Sequence, residues 1–419
     1  MLVHKRCRIQ CGQCCSFPSE PVIPGNPPPR VSEQAHAGSS RHPPSVHGSE
    51  QGTKHIEFTN AQENDQASPA LGLEHFHLLR VIGRGSYSKI LLVQLRNTDQ
   101  TFAMKVVKKG RIHSHRAETE RRVLQQVVHH PFLVGLHAYL ETQSKIMFVL
   151  DYVSGGDIMF HLQRKRTFPE AQAKFYCGEI ALAVNHLHQH GILYRNLKLD
   201  NILLDPQGHI KITDFCVSKE GMGPRDLTST LSGTANYLAP EIIREVYGFS
   251  VDWWALGVIA FEMMVGESPF VVAELPEASE EKSIAHLLRL RVESRISIPG
   301  CLSVEAASVL HAFLNKDPKQ RLGCRPPTGL ADIQNHPFFH DVDWDRMERE
   351  QVSPPFQPSI SGDLGLHNFD CVFTQEPVQL TPDENGSITE GSEVSDSEYI
   401  SCPSMDEEWW DHFPTVPFT

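Results

Sequence analysis

Tyr194-Arg195-Asn196-Leu197-Lys198-Leu199-Asp200-Asn201 leads into the apolar residues 202–204, and a second apolar run at 210–213 leads into Asp214-Phe215-Cys216. Short apolar runs bounded by polar residues read as strands. One polar loop therefore enters a strand and the other leaves one. Upstream, Gly83-Arg84-Gly85-Ser86-Tyr87-Ser88 lies between strand-like runs at 76–82 and 90–95, and Phe102-Ala103-Met104-Lys105 sits in a third run at 102–107. Downstream, Ala239-Pro240-Glu241 precedes an apolar stretch that contains Val251-Asp252-Trp253-Trp254. Each motif alone has a bland reading as turn, cap or solvated position. All five in this order and spacing have almost none.

The glycine pair shows how the spacing decides. Glycines let a backbone approach phosphates because no Cβ intrudes. A dinucleotide-binding turn needs a helix after the glycines. Here a strand follows, and Ser88 stands where a last glycine is usual. The three early runs read as an antiparallel meander. Helical spacing dominates later. Pro169 suits a first helical position, and Phe175, Ile180, Ala183, Val184 and Leu187 then recur at helical intervals. Ser250 and Ser303 are candidate N-caps. The predicted class is α+β, a small antiparallel β lobe followed by a larger helical lobe.

The chain has 419 residues, 40% of them hydrophobic and 21% charged, values suited to a sizeable core. Its net charge is −13, which argues against a nucleic-acid partner. No apolar run reaches the length of a membrane span. Four of the ten cysteines crowd into the first 15 residues and the others are scattered, which fits a reducing cytoplasm better than a disulfide framework. Residues 16–70, rich in Pro and Ser, read as a disordered linker. Residues 383–419 carry ten Asp or Glu and no Lys or Arg, so most of the acidity is a tail property. The segment 401–419 reads as a disordered acidic tail.

With these motifs in view, residues 76–339 resemble a eukaryotic Ser/Thr protein kinase domain. GRGSYSKILLV, AMKVVKK, HPFLVGLH, GFSVDWWALGV, LNKDPKQRLGC and EPVQLTPD are similar to the atypical branch of the protein kinase C family. The resemblance implies a bilobal fold with one helix in the small lobe, ATP and Mg²⁺ as cofactors and protein Ser/Thr as acceptor. Residues 81–90 would cover ATP, with Gly83, Gly85 and Ser86 near its phosphates. Lys105 would bind the α- and β-phosphates and pair with Glu120, with Glu118 as the alternative. Ile82, Ile90, Ala103 and Leu203 would sandwich adenine, in front of Leu150. Asp151 and Val153 would offer backbone hydrogen bonds, and Asp157 would reach the ribose. Asn201 and Asp214 would hold Mg²⁺, and Lys198 would stabilise the transferring phosphoryl group. Thr230 would be the site of an upstream activating kinase, its phosphate paired with Arg195 and Lys219. Thr381 resembles a tail phosphosite, within an extension spanning 340–400. Asp157 and Asp200 would favour substrates with basic residues near the phosphoacceptor.

Several positions depart from the family. Asn196 stands where the family carries the Asp that accepts the substrate hydroxyl's proton. An amide takes no proton at neutral pH, so weak transfer is expected, with a nucleotide-binding pseudokinase or a diverged copy as the alternatives. Cys216 replaces a glycine, which permits backbone angles that a Cβ would oppose; it reads either as a bystander or as a change that makes Asp214 harder to aim at Mg²⁺. Ala235 replaces a proline. Val394 and Ser397 occupy the places of two docking phenylalanines, so that contact should weaken. Residues 1–15 resemble the end of a cysteine-rich zinc module. His4, Cys7 and Cys15 keep its final spacing, but a closed structural site needs four ligands, so zinc is not expected.

Overall fold

The computed structural model describes residues 71–380 except residues 86, 111–113, 128–129, 231–232, 245, 271–295, 326–328 and 363. All of them lie in one compact unit, Ala61–Thr419. The expected zinc remnant at 1–15, the linker 16–70, Ser86, Thr381, Val394, Ser397 and the tail 401–419 fall outside the described residues, as does the Ala235 side chain.

The first lobe is a five-stranded antiparallel sheet in the order β1-β2-β3-β5-β4. The strands are β1 (Phe76–Arg84), β2 (Ser88–Leu95), β3 (Thr101–Lys108), β4 (Leu136–Glu141) and β5 (Lys145–Asp151), with α1 (Ser114–Gln126) between β3 and β4. Side chains alternate between sheet faces. Val81, Leu91, Val93, Met104, Val106, Met147 and Val149 form one small core. Val107, Ile146, Phe148 and Leu150 face the other way and join α1 residues Val123 and Leu124 in the main core. Lys105 alternates with Met104 and Val106, so the strand period itself turns it toward α1.

The second lobe is helical. It contains α2 (Ile158–Lys165), α3 (Glu170–Gln189), the hairpin β6 (Ile202–Leu204) and β7 (Ile210–Ile212), α4 (Ser250–Val265), α5 (Val304–Phe313), α6 (Leu330–Gln334) and α7 (Trp344–Glu348), whereas α8 (Cys371–Thr374) packs against β1 of the first lobe. The expected α+β bilobal architecture is the one observed. Helix α4 is buried all round from Val251 to Met264, which suits its near-continuous apolar sequence. A Cβ on Gly257 would come within 2.7 Å of Phe313 Cβ, so glycine lets α5 pack closely there. The Ser303 Oγ accepts from Ala306 N at 3.1 Å, the cap that was expected.

Two expected caps move. Pro169 occupies the N-cap position, with ψ 148°, not the first helical turn. Its fixed φ suits either place, and its carbonyl accepts the first helical hydrogen bonds, from Gln172 N at 2.9 Å and Ala173 N at 3.0 Å. Ser250 is already helical, and Phe249 is the N-cap. The Ser250 hydroxyl donates instead to Glu241 Oε1 at 2.9 Å.

Residues after α7 run back over both lobes. Phe356 packs edge-on against His161 at 5.1 Å, under the Lys165 ammonium at 3.6 Å. Buried Asn368 donates to Ser154 O at 3.1 Å and Ser359 O at 2.9 Å. Phe373 and Leu380 pack on the small core of the β lobe. Arg84 grips Glu376 through two 2.7 Å hydrogen bonds.

Candidate active site

Strand register assembles the first half of the site. Gly83 pairs with Ile90, Ile90 with Lys105, and Lys105 with Phe148, one line across four strands. Gly85 closes the β1–β2 turn through its N–H to Ser88 O, and a Cβ there would meet Ser88 Oγ at 2.7 Å. Ala103 pairs with Leu150, and Phe102 with Asp151. The Asp151 carboxylate turns aside to accept from Gly135 N and from His137 Nε2, each at 2.7 Å. Val153 is buried.

The second half comes from the helical lobe. Asp157 caps α2, accepting from Phe160 N at 2.8 Å, and its backbone bridges to Leu203 on β6. Burial, with the Asp200 charge nearby, raises the Asp157 carboxyl to about 7. The 194–201 loop is held by Asp252 from inside α4. Its carboxylate accepts from Tyr194 N at 3.0 Å, Arg195 N at 2.9 Å and His188 Nε2 at 2.8 Å. Asn201 Nδ2 donates to Asn196 O at 2.9 Å, closing the loop on itself.

The two halves meet at Lys105. Its ammonium lies 2.6 and 2.9 Å from the Glu120 oxygens and 2.7 Å from Asp214 Oδ1. Burial opposes the charge on Lys105, but the two carboxylates outweigh it and raise the pKa well above the ordinary value. Burial likewise opposes ionisation of Asp214, and the Lys105 charge overcomes it, holding the carboxyl at about 2. Glu118 is instead paired with Arg121 at 2.7 Å, so Glu120 is the partner.

Asp214 itself carries a left-handed φ of 63°. That is uncommon for a residue with a Cβ and is a form of local strain. Cys216 has no positive φ, which fits the bystander reading at that position: the demanding conformation falls on Asp214, two residues earlier. Burial and the neighbouring Asp214 charge push the Cys216 thiol well above its ordinary value. Asn196 Nδ2 donates to Asp214 Oδ2 at 2.8 Å, and Asn196 Oδ1 is buried without a hydrogen-bond partner.

The donor set suits a nucleotide with a hard cation. Lys105 offers an ammonium for phosphate, and Asn201 and Asp214 offer side-chain oxygens to Mg²⁺. Lys198 is half-buried and its charge acts on Asp214. Thr230 is exposed, and its carbonyl accepts from Tyr247 OH. Arg195 Nη1 donates to that same hydroxyl at 3.2 Å, whereas Lys219 Nζ donates to Thr228 Oγ1 at 2.8 Å. Of the two cations expected at Thr230, Arg195 is thus linked to it through Tyr247, and Lys219 reaches the neighbouring threonine.

Reading the sequence missed three supporting groups: Asp252, Glu262 and Arg321. Glu262 accepts from Tyr237 OH at 2.6 Å, and burial raises it to about 7. The wholly buried Arg321 binds Glu241 through contacts of 2.5 and 2.8 Å. Asp252 and Glu262 were detectable as the two acids inside the otherwise apolar α4.

An ion-paired strand lysine, a loop that presents Asn201 and a strained Asp214 define a protein kinase cleft between two lobes. The family model described as "Protein kinase domain" matches residues 76–339. The chain is 48% identical to protein kinase C zeta type of Oryctolagus cuniculus, over 96% of this chain and 70% of that protein. It is 45% identical to atypical protein kinase C of Drosophila melanogaster, over 96% of this chain and 69% of that protein. Protein kinase C-like 1B of Caenorhabditis elegans is 42% identical over 75% of this chain. The chain belongs to the protein kinase family, in its atypical protein kinase C branch. Kinases of this family use ATP and Mg²⁺ and act on proteins. Among the described residues no helix is long and apolar enough to cross a membrane, and no group of three or more His, Cys, Asp or Glu side chains comes together to hold a metal.

Proposed function

We propose that this chain binds ATP with Mg²⁺ and transfers the γ-phosphoryl group to protein Ser or Thr at a low rate. The observation that carries the reading is Lys105, fixed between Glu120 and Asp214 across the cleft. Lys105 would grip the α- and β-phosphates, and Ile82, Ile90, Ala103 and Leu203 would enclose the adenine. Asn201 and Asp214 would hold Mg²⁺, which when bound neutralises charge on the phosphate oxygens. Lys198 would stabilise the phosphoryl group in transit. Asp157, Asp200 and Glu262 would favour basic residues near the acceptor. A phosphate on Thr230 would find Arg195 beyond Tyr247.

The low rate follows from Asn196. The acceptor alcohol has no carboxylate to receive its proton, which must pass to a phosphate oxygen or to water. General-base assistance is worth ~10²–10⁴-fold. Phosphoryl transfer relies mainly on positioning and electrostatics, so the loss falls near the lower end, about 3 kcal/mol.

The alternative is a pseudokinase, a nucleotide-binding module that competes with active relatives for substrates or scaffolds. The buried, unpartnered Asn196 Oδ1 favours it, because an acceptor closed off from solvent is a poor guide for an incoming hydroxyl. Radiolabelled γ-phosphate transfer to a basic peptide separates the two. Slow transfer that Lys105→Ala abolishes supports the kinase. An ATP-induced rise in melting temperature with label at background supports the pseudokinase. No thermal shift at millimolar ATP removes both.

A further inference from the structure

Both oxygens of the Asp214 carboxylate already have donors. Lys105 Nζ holds Oδ1 at 2.7 Å and Asn196 Nδ2 holds Oδ2 at 2.8 Å. The Asn196 amide is fixed in this sense, since turning it over would set its carbonyl oxygen against a carboxylate oxygen. Its own backbone carbonyl is pinned by Asn201 Nδ2 at 2.9 Å. The side chain is 2% exposed, and its Oδ1 is left without a partner. That orphan is the cost of directing the NH₂ group at Asp214.

Charge balance points the same way. Lys105 and Lys198 stand against Asp214 and Glu120, two cations for two carboxylates. A carboxylate at position 196 would add an uncompensated negative charge beside Asp214, where a triphosphate has to enter. Like charges at such range in a partly desolvated site repel strongly, and a divalent cation is the usual remedy. Here the amide removes the charge and supplies a donor at the same point. A cation arriving at Asp214 would also have to displace donors already in place.

We infer that Asn196 takes over part of the work of a divalent cation, so that this chain binds ATP almost as well without Mg²⁺ as with it. Asn196 is on this account a positioning residue for Asp214 and a relief of charge for the phosphates. The inference rests on the reading of the cleft as a nucleotide site.

The test measures ATP affinity of the full chain by equilibrium dialysis with radiolabelled ATP, in EDTA and in excess Mg²⁺. The same is done for Asn196→Asp, with the nucleotide-free melting temperature of each protein recorded to show that it is folded. The expected result is a loss of less than about fivefold in EDTA for the wild-type chain and about tenfold or more for Asn196→Asp. A wild-type loss above about fivefold overturns the inference, and so does an Asn196→Asp loss no larger than the wild-type one. If Asn196→Asp does not fold, the wild-type comparison alone decides at the same threshold. Absence of binding by folded wild type in both buffers instead overturns the nucleotide-site reading, and the inference falls with it.

Discussion

Asn196 donates its side-chain NH₂ to Asp214 Oδ2 at 2.8 Å, so the residue standing where a base is expected is bonded to the neighbouring carboxylate. Replacing that amide by a carboxylate removes the hydrogen bond and sets two acids face to face. Asn196→Asp is therefore expected to destabilise the nucleotide-free chain by ~1–3 kcal/mol. Denaturant unfolding in EDTA measures it. An unchanged midpoint would show that the contact contributes nothing to the fold.

Lys105 is the only cation hydrogen-bonded to Glu120 among the described residues, and it serves Asp214 as well. Lys105→Ala leaves two carboxylates in a buried setting without their cation. Breaking such a pair from one side costs ~3–5 kcal/mol. The variant should melt well below wild type and show no further rise with ATP. A wild-type melting curve would contradict the ion-paired geometry.

The segment that returns over the two lobes has contacts of unequal value. Arg84 and Glu376 form a well-aligned pair, but the Arg84 side chain is 48% exposed. Arg84→Ala is expected to cost no more than ~1 kcal/mol. Asn368 is 3% exposed and satisfies two carbonyls. Asn368→Ala should cost ~1–3 kcal/mol and expose the segment to protease. Equal effects from the two substitutions would refute this ranking.

Glu262 supplies a pH signature. Its folded-state carboxyl titrates at about 7, raised by burial, against an ordinary value of 4.5. A raised carboxyl binds its proton more tightly in the folded chain than in the unfolded one. Its contribution to stability is complete below the unfolded value and declines as pH climbs from about 4.5 to about 7. Glu262→Gln removes the titrating group and keeps an acceptor for Tyr237. The fall in melting temperature between pH 5 and pH 7.5 should be smaller in Glu262→Gln than in wild type, by the equivalent of roughly 2–3 kcal/mol. Parallel profiles for the two proteins would remove Glu262 as the source.

Local signals carried a good deal of this. The strand at Ile202–Leu204, the Ser303 cap and the placing of Lys105 on a strand follow from short-range pattern, and the structure has all three. What escaped the sequence depends on distant partners. Ser250 looks like a cap, but Glu241 is brought near it by Arg321, and the hydroxyl goes there instead. Asp252 reads as one polar residue in an apolar helix, and its three donors come from residues 188, 194 and 195. The positive φ of this segment falls on Asp214 and not on Cys216, and residue type along the chain does not reveal that. The consequence of Asn196 for Asp214 was equally hidden, since no pattern along the chain says which way an amide faces.

The central claim is that the nucleotide cleft is competent and that one amide, Asn196, limits transfer. Single-turnover radiolabel transfer from ATP to a basic peptide, at saturating Mg²⁺ and nucleotide, compares wild type with Asn196→Asp most directly. The account predicts a rise of about 10²-fold in the variant. Equal rates in the two proteins, or fast transfer by the wild-type chain, would contradict it.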